Sequence, residues 1–321
     1  MPSTTAHHPD GATAMPVPAE DRAIPEPDFI LAHVSDPHLG APDADAPGRA
    51  EGLTIKQRMA LSNWQRRRRH VFRADVAFRT AADIAAAAPH HVAVTGDLAN
   101  AGLHAEFAEA ARWLAALGAP AAPDPSDGLS VIPGNHDALA PGTWEVGAEV
   151  LGLRMPAYPW SHRVGRVAII GLSTARPTLP LLATGRLGTA QIAAAEDLCA
   201  EAGAAGLCRV VLVHHPPGET TTRRRAFSDR EALGAALSRA GAEIVLYGHN
   251  HRQEAVRIGD AGILALGVPA ASAAPGGGVE PAGWYRIAIG GGPGAWTAGV
   301  MLRRLQTDGS FATIDLGMHA L

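Results

Sequence analysis

Seven side chains able to ligate a metal stand just beyond five short apolar runs of this 321-residue chain. Asp36 and His38 follow the run from Phe29 to Val34, and Asp97 follows His91 to Thr95. Asn135 follows Leu129 to Pro133, His214 follows Arg209 to Val213, and His249 and His251 follow Glu243 to Tyr247. Imidazole, carboxylate and amide donors are borderline to hard, so the set suits Mn, Fe or Zn, whereas a soft-metal site would use cysteine. The donors suffice for two ions if one carboxylate bridges them, and Asp97, which stands alone at its run, is the natural bridge. Metal-assisted hydrolysis is the chemistry such a pair performs.

The elements that must position these groups follow from the same pattern. Each apolar run reads as a buried strand, and ligands gather at the carboxyl ends of strands in open α/β sheets. Side chains two apart on an extended segment share a face, so Asp36 and His38 can point at one ion. His33, inside its run, reads as a hydrogen-bonded core residue. Helical patterns cover Leu103 to Leu117, Thr189 to Ala202 and about Asp229 to Ala240. The stretch from Leu53 to Ala88 has neither Gly nor Pro and closes at Pro89, which predicts one or two helices. Its middle carries Trp64, Arg66, Arg67, Arg68, Arg69, His70, Phe72 and Arg73. At helical pitch four successive arginines spread around the circumference, so at most two can face one ligand; Arg66 and Arg69 are the candidates. Beyond Ala255, β-like segments alternate with Gly/Pro turns, as antiparallel strands do.

Composition narrows the function classes. A hydrophobic content of 47% with 18% charged residues fits a soluble globular protein, and no apolar run is long enough to span a bilayer. The net charge of -4 gives no global attraction to nucleic acid. Lys56 is the only lysine, so nearly all positive charge is arginine. Cys199 and Cys208 lack metal or redox spacing and read as buried thiols in a reduced, cytoplasmic setting. Residues 1–27 are rich in Pro and Ala, lack hydrophobic periodicity and read as a disordered tail, with the chain starting at Met1 or Met15. Residues 28–321 read as a single domain with an Arg-rich helical insertion at about 53–88.

The motifs Asp36-Pro37-His38, Gly96-Asp97, Gly134-Asn135-His136-Asp137, His214-His215-Pro216-Pro217 and Gly248-His249-Asn250-His251, in this order, resemble the calcineurin-like metallophosphoesterase superfamily. The pattern is most similar to bacterial class III cyclic nucleotide phosphodiesterases and glycerophosphodiesterases. The resemblance implies an α/β fold, a four-layer αββα sandwich. It also implies two divalent ions, one held by Asp36, His38, Asp97 and His251, the other by Asp97, Asn135, His214 and His249. Ions about 3.5–4 Å apart acidify a shared water for in-line attack on phosphorus. His136, outside the ligand set, is assigned to protonating the leaving oxygen, with Asp137 orienting it. His215 and Asn100 are expected beside the substrate. Two divalent ions against Asp36, Asp97 and a hydroxide leave about one positive charge, which matches a monoanionic diester.

The expected substrate is therefore a small phosphodiester or nucleotide-type ester. A second reading, drawn from the basic helix, is a pyrophosphatase of a nucleotide-linked lipid working at an anionic inner membrane face, similar to UDP-diacylglucosamine hydrolases. A nuclease fits the acidic net charge poorly, and a scaffold that has lost catalysis fits the full ligand set poorly.

Overall fold

The computed structural model describes residues 29–40, 52–118, 128–153, 157–218 and 222–321. The predicted tail lies outside the described residues.

Two six-stranded sheets lie face to face. The first takes β1 (Phe29–Val34), β2 (His91–Val94) and β3 (Leu129–Val131) in parallel, then β10 (Gly283–Gly290), β11 (Thr297–Leu305) and β12 (Phe311–Ala320) antiparallel beyond β1, in the order β12-β11-β10-β1-β2-β3. The second holds β5 (Val167–Gly171), β6 (Cys208–Leu212), β7 (Ile244–Tyr247) and β9 (Ile263–Gly267) in parallel. It is edged by the antiparallel β4 (Trp160–Val164) and β8 (Glu254–Ile258).

Strand alternation builds the layers. In β1, Phe29 and Leu31 enter the core between the sheets, where they meet Ile169, Val210, Leu246, Tyr285 and Ile287. Ala32 and Val34 point the other way, into a core with α3 (Ala74–Ala86), α4 (His104–Ala116) and α5 (Thr143–Val150), where Phe107, Trp113 and Trp144 are buried. On the far side, Ile170, Val211 and Val245 pack under α6 (Thr189–Ala204) and α7 (Arg230–Ala240). Helices, sheet, sheet, helices: the expected αββα sandwich. Cys199 and Cys208 are buried free thiols, and burial pushes the Cys199 thiol up to about 12, which fits inert packing groups.

The predicted helical stretch is interrupted. It forms α1 (Ile55–Asn63), a π-helical turn at Trp64–Arg68, a single turn α2 (Arg69–Val71), and then α3. Thr54 caps α1 by accepting from the Gln57 amide, and Gln57 Oε1 accepts in return from Thr54 N, a reciprocal capping box. The break falls at Phe72, whose extended backbone pairs with Ala273.

At the start of α4 a buried carboxylate braces the loop that leaves β2. Glu106 accepts from the backbone N–H groups of Ala101 (2.7 Å) and Leu103 (3.1 Å). Burial raises its carboxyl to about 7, against the pull of those N–H groups. The folded state therefore holds an extra proton between the ordinary value and pH 7, so this group's contribution to stability falls as pH rises through that window. The variant E106Q abolishes that slope. Urea titrations of metal-stripped protein from pH 4.5 to 8 should show the variant gaining on the parent by about 3 kcal/mol across the window; parallel curves would refute this.

Candidate metal centre

Every strand that carries a predicted ligand ends at the same edge of the sandwich. Asp36, His38, Asp97, Asn135, His214 and His249 are all buried. The backbone bends sharply to deliver them. Asp36, His38, Asp97, His249 and His251 all have positive φ, between 41° and 68°, and only Ala88 and Leu181 share that property among the other described non-glycine residues. Such left-handed backbone is costly for residues with a Cβ and collects where surrounding structure over-determines it.

Glycines make the crowding possible. A Cβ on Gly134 would collide with the Asp97 carboxylate and backbone, and one on Gly248 with Ser35 and Asp36. This is the physical reason the Gly-Asn-His-Asp and Gly-His-x-His motifs begin with glycine.

Each carboxylate is split between scaffold and cluster. Asp36 Oδ2 accepts from the His249 N–H (3.0 Å), leaving Oδ1 at 3.1 Å from His251 Nε2 and 3.6 Å from His38 Nε2. Asp97 Oδ1 accepts from the His136 N–H (2.7 Å), leaving Oδ2 at 3.8 Å from His38 Nε2 and 3.4 Å from His214 Nε2. The Nε2 atoms of His38 and His251 face each other at 2.9 Å. Asn135 Oδ1 lies 3.3 Å from His214 Nε2. Donor atoms of Asp36, His38 and His251 form one compact group, and those of Asp97, His214 and His249 another; a third joins His38, Asp97 and His136. The third group shares His38 with the first and Asp97 with the second, so the two halves meet across the His38–Asp97 pair.

The electrostatics suit cations. Burial lowers His38 and His249 well below the ordinary imidazole range, so both are neutral donors. His249 Nε2 is buried with no partner in the protein. His214 behaves oppositely: burial lowers it, but the adjacent Asp97 outweighs burial and pushes it up to about 9. Burial also works against ionised Asp97, yet His214 and His136 hold its carboxyl well below the usual range. The Thr95 carbonyl can only accept, so His214 Nδ1 donates to it (2.7 Å) and Nε2 is the atom that faces the cluster. An orphaned nitrogen, two imidazoles aimed nitrogen to nitrogen and two half-committed carboxylates fit a pair of metal ions.

A family model described as calcineurin-like phosphoesterase matches residues 29–253. The chain belongs to that family. It is a metallophosphoesterase with donor groups for two ions. No curated protein matches it. Among solved structures, it is similar to a dimetal phosphatase from Danio rerio at 11% identity and TM-score 0.58, covering 90% of this chain and 99% of that one. It is also similar to a purple acid phosphatase from yellow lupin (Lupinus luteus) seeds, at 15% identity and TM-score 0.54, covering 92% of this chain. It spans 54% of the lupin enzyme's length. At these identities the likeness is one of fold.

The remaining predicted residues are placed differently. Asp137 does not orient His136: its carboxylate accepts from Ala99 N–H (2.9 Å) and Gly134 N–H (2.8 Å), tying the loops after β2 and β3 together. The His136 ring is held by the Asn100 carbonyl, which accepts from Nδ1 at 2.5 Å, and burial lowers this imidazole to about 4. Asn100 thus enters the site through its backbone, while its side-chain Oδ1 is buried without a partner. Both ring nitrogens of His215 are engaged, with Thr174 Oγ1 (2.7 Å) and the Ala183 carbonyl (3.2 Å), and its ring centroid lies 4.5 Å from that of His249, which it buttresses. Arg66 and Arg69 are exposed, outside the cluster. The arginine that approaches it is Arg68.

Proposed function

We propose that this protein hydrolyses phosphodiesters, cutting a P–O bond of a small substrate. The observation that carries the reading is the pair of donor groups that meet across His38 and Asp97, in which, among the described residues, the carboxylates are Asp36 and Asp97. Two divalent ions held there would supply an acidified water as nucleophile and neutralise the phosphoryl oxygens, and with Asp36, Asp97 and the hydroxide they would leave about one positive charge to match one diester anion. The nitrogen- and oxygen-rich donors favour Mn, Fe or Zn. The chain's own residues set the stage: Asp137 and the motif glycines hold the ligand loops together, His215 fixes His249, and His136 presents Nε2 to the reacting group. Among the described residues no helix is long and apolar enough to cross a membrane.

The test is hydrolysis of bis(p-nitrophenyl) phosphate by metal-stripped protein with and without Mn²⁺. Turnover should be absent after stripping and restored by the metal. Failure to hydrolyse the diester at any metal loading would overturn the proposal.

A further inference from the structure

Two donor nitrogens beside the cluster have no partner. Arg68 Nε and Nη2 are both buried and unbonded, while the guanidinium carbon sits 4.7 Å over the Phe72 ring. That ring in turn lies 5.1 Å, centroid to centroid, from both His38 and His251. The Arg68 charge acts on His38 and His136, and Asp97 and Asp36 act on it in return. Leaving two charged N–H groups buried without acceptors is expensive, so the site is built for something that supplies them.

The position is imposed by the backbone. The π-helical turn Trp64–Arg68 breaks the regular spacing that would otherwise distribute the four arginines evenly, and π-turns recur at functional sites. Its near end is fixed by Trp64, whose indole occupies the space a Cβ on Gly40 would need, two residues beyond His38. Its far end is fixed by Phe72 N–H donating to the Arg68 carbonyl (2.7 Å) and by Ala274 N–H donating to the Val71 carbonyl (2.8 Å). Arg225, exposed in the short helical turn Arg223–Arg225, lies near enough for its charge to bear on Arg68.

We propose that Arg68 binds a phosphoryl oxygen of the substrate and extends this site from monoanionic diesters to dianionic phosphate groups. The proposal rests on the phosphoesterase reading above. Two divalent ions against Asp36, Asp97 and a hydroxide would leave about one positive charge, enough for one negative charge on the substrate; a second on the same phosphorus needs another cation, and a planar guanidinium with two free donors matches two phosphoryl oxygens.

The experiment compares R68Q and R68K with the parent and with R67Q, a change at an exposed neighbour in the same turn. Bis(p-nitrophenyl) phosphate and p-nitrophenyl phosphate share a leaving group and differ in charge. R68Q should lower kcat/KM on the monoester by ~10–100-fold, the weight of one or two hydrogen bonds to a charged group, and on the diester by less than about 5-fold. R68K should fall between, and R67Q should match the parent. Equilibrium dialysis of Mn²⁺-loaded protein with radiolabelled inorganic phosphate should show a Kd weakened by a similar factor in R68Q. Equal losses on both esters, or unchanged phosphate affinity, would overturn the assignment. If the parent hydrolyses neither ester, the phosphoesterase reading fails, and the phosphate titration still decides whether Arg68 holds the anion.

Discussion

Replacing Asp97 with Asn is expected to abolish retention of both metal ions and to cut diester turnover by roughly 10³-fold or more, beyond the ~10²–10³ lost with a single preorganised electrostatic contact. Asp97 belongs to two of the three donor groups and is the carboxylate that His38 and His214 both face. An amide in its place keeps an oxygen to accept the His136 N–H, so the loop is not deprived of its hydrogen bond. It loses the negative charge shared by the two halves. With a single anionic ligand left, Asp36, four positive charges are badly underbalanced and neither half has its link to the other. The checks are metal content after dialysis and the rise in thermal stability on adding Mn²⁺, which a ligand bound only by the folded state must produce in the parent. A variant that still holds two ions per chain, with activity within tenfold, would remove Asp97 from the bridging position.

The clustering of the donors was legible in the sequence because strand ends concentrate them. Five apolar runs each stop at a donor, and a strand's direction sends that donor to one edge of the sheet whatever the remaining chain does. The four layers were legible through the resemblance, and the strand alternation of residues such as Leu31 and Ala32 now shows how they are built. Local pattern said less where long-range contacts decide. The helix α5 and the strand β4 lie in a stretch where periodicity is weak, and they are fixed by packing of Trp144 under the first sheet and by pairing of Trp160 to Val164 with β5. The arginine run shows the limit most clearly. A regular helix gives no reason to choose Arg68 over Arg66 or Arg69; the π-turn, fixed by Trp64 over Gly40 and by Phe72 against Ala273, makes that choice. Asp137 was assigned by adjacency in sequence, whereas its carboxylate bonds Ala99 and Gly134.

His136 should be separable from the ligands by the identity of the leaving group. Its Nδ1–H is committed to the Asn100 carbonyl, so only Nε2 can act, and that ring stands edge-on to His38 with centroids 4.9 Å apart. Burial keeps the resting imidazole neutral, but an anion arriving beside Nε2 favours the charged form, so the ring gains a proton where a departing oxygen needs one. A departing p-nitrophenolate is a stable anion at neutral pH and needs little help, while a departing alkoxide must be protonated. The variant H136Q is therefore expected to keep both ions and to lose ~10²–10⁴ in kcat on an alkyl diester, the usual weight of a positioned acid, with a much smaller loss on bis(p-nitrophenyl) phosphate. The third donor group, which joins His136 to His38 and Asp97, supplies the competing outcome. If His136 is itself a ligand, H136Q will lose metal and both substrates will suffer alike. Parallel measurement of metal content and of the two turnover rates tells these apart, because only an acid makes the damage depend on what leaves.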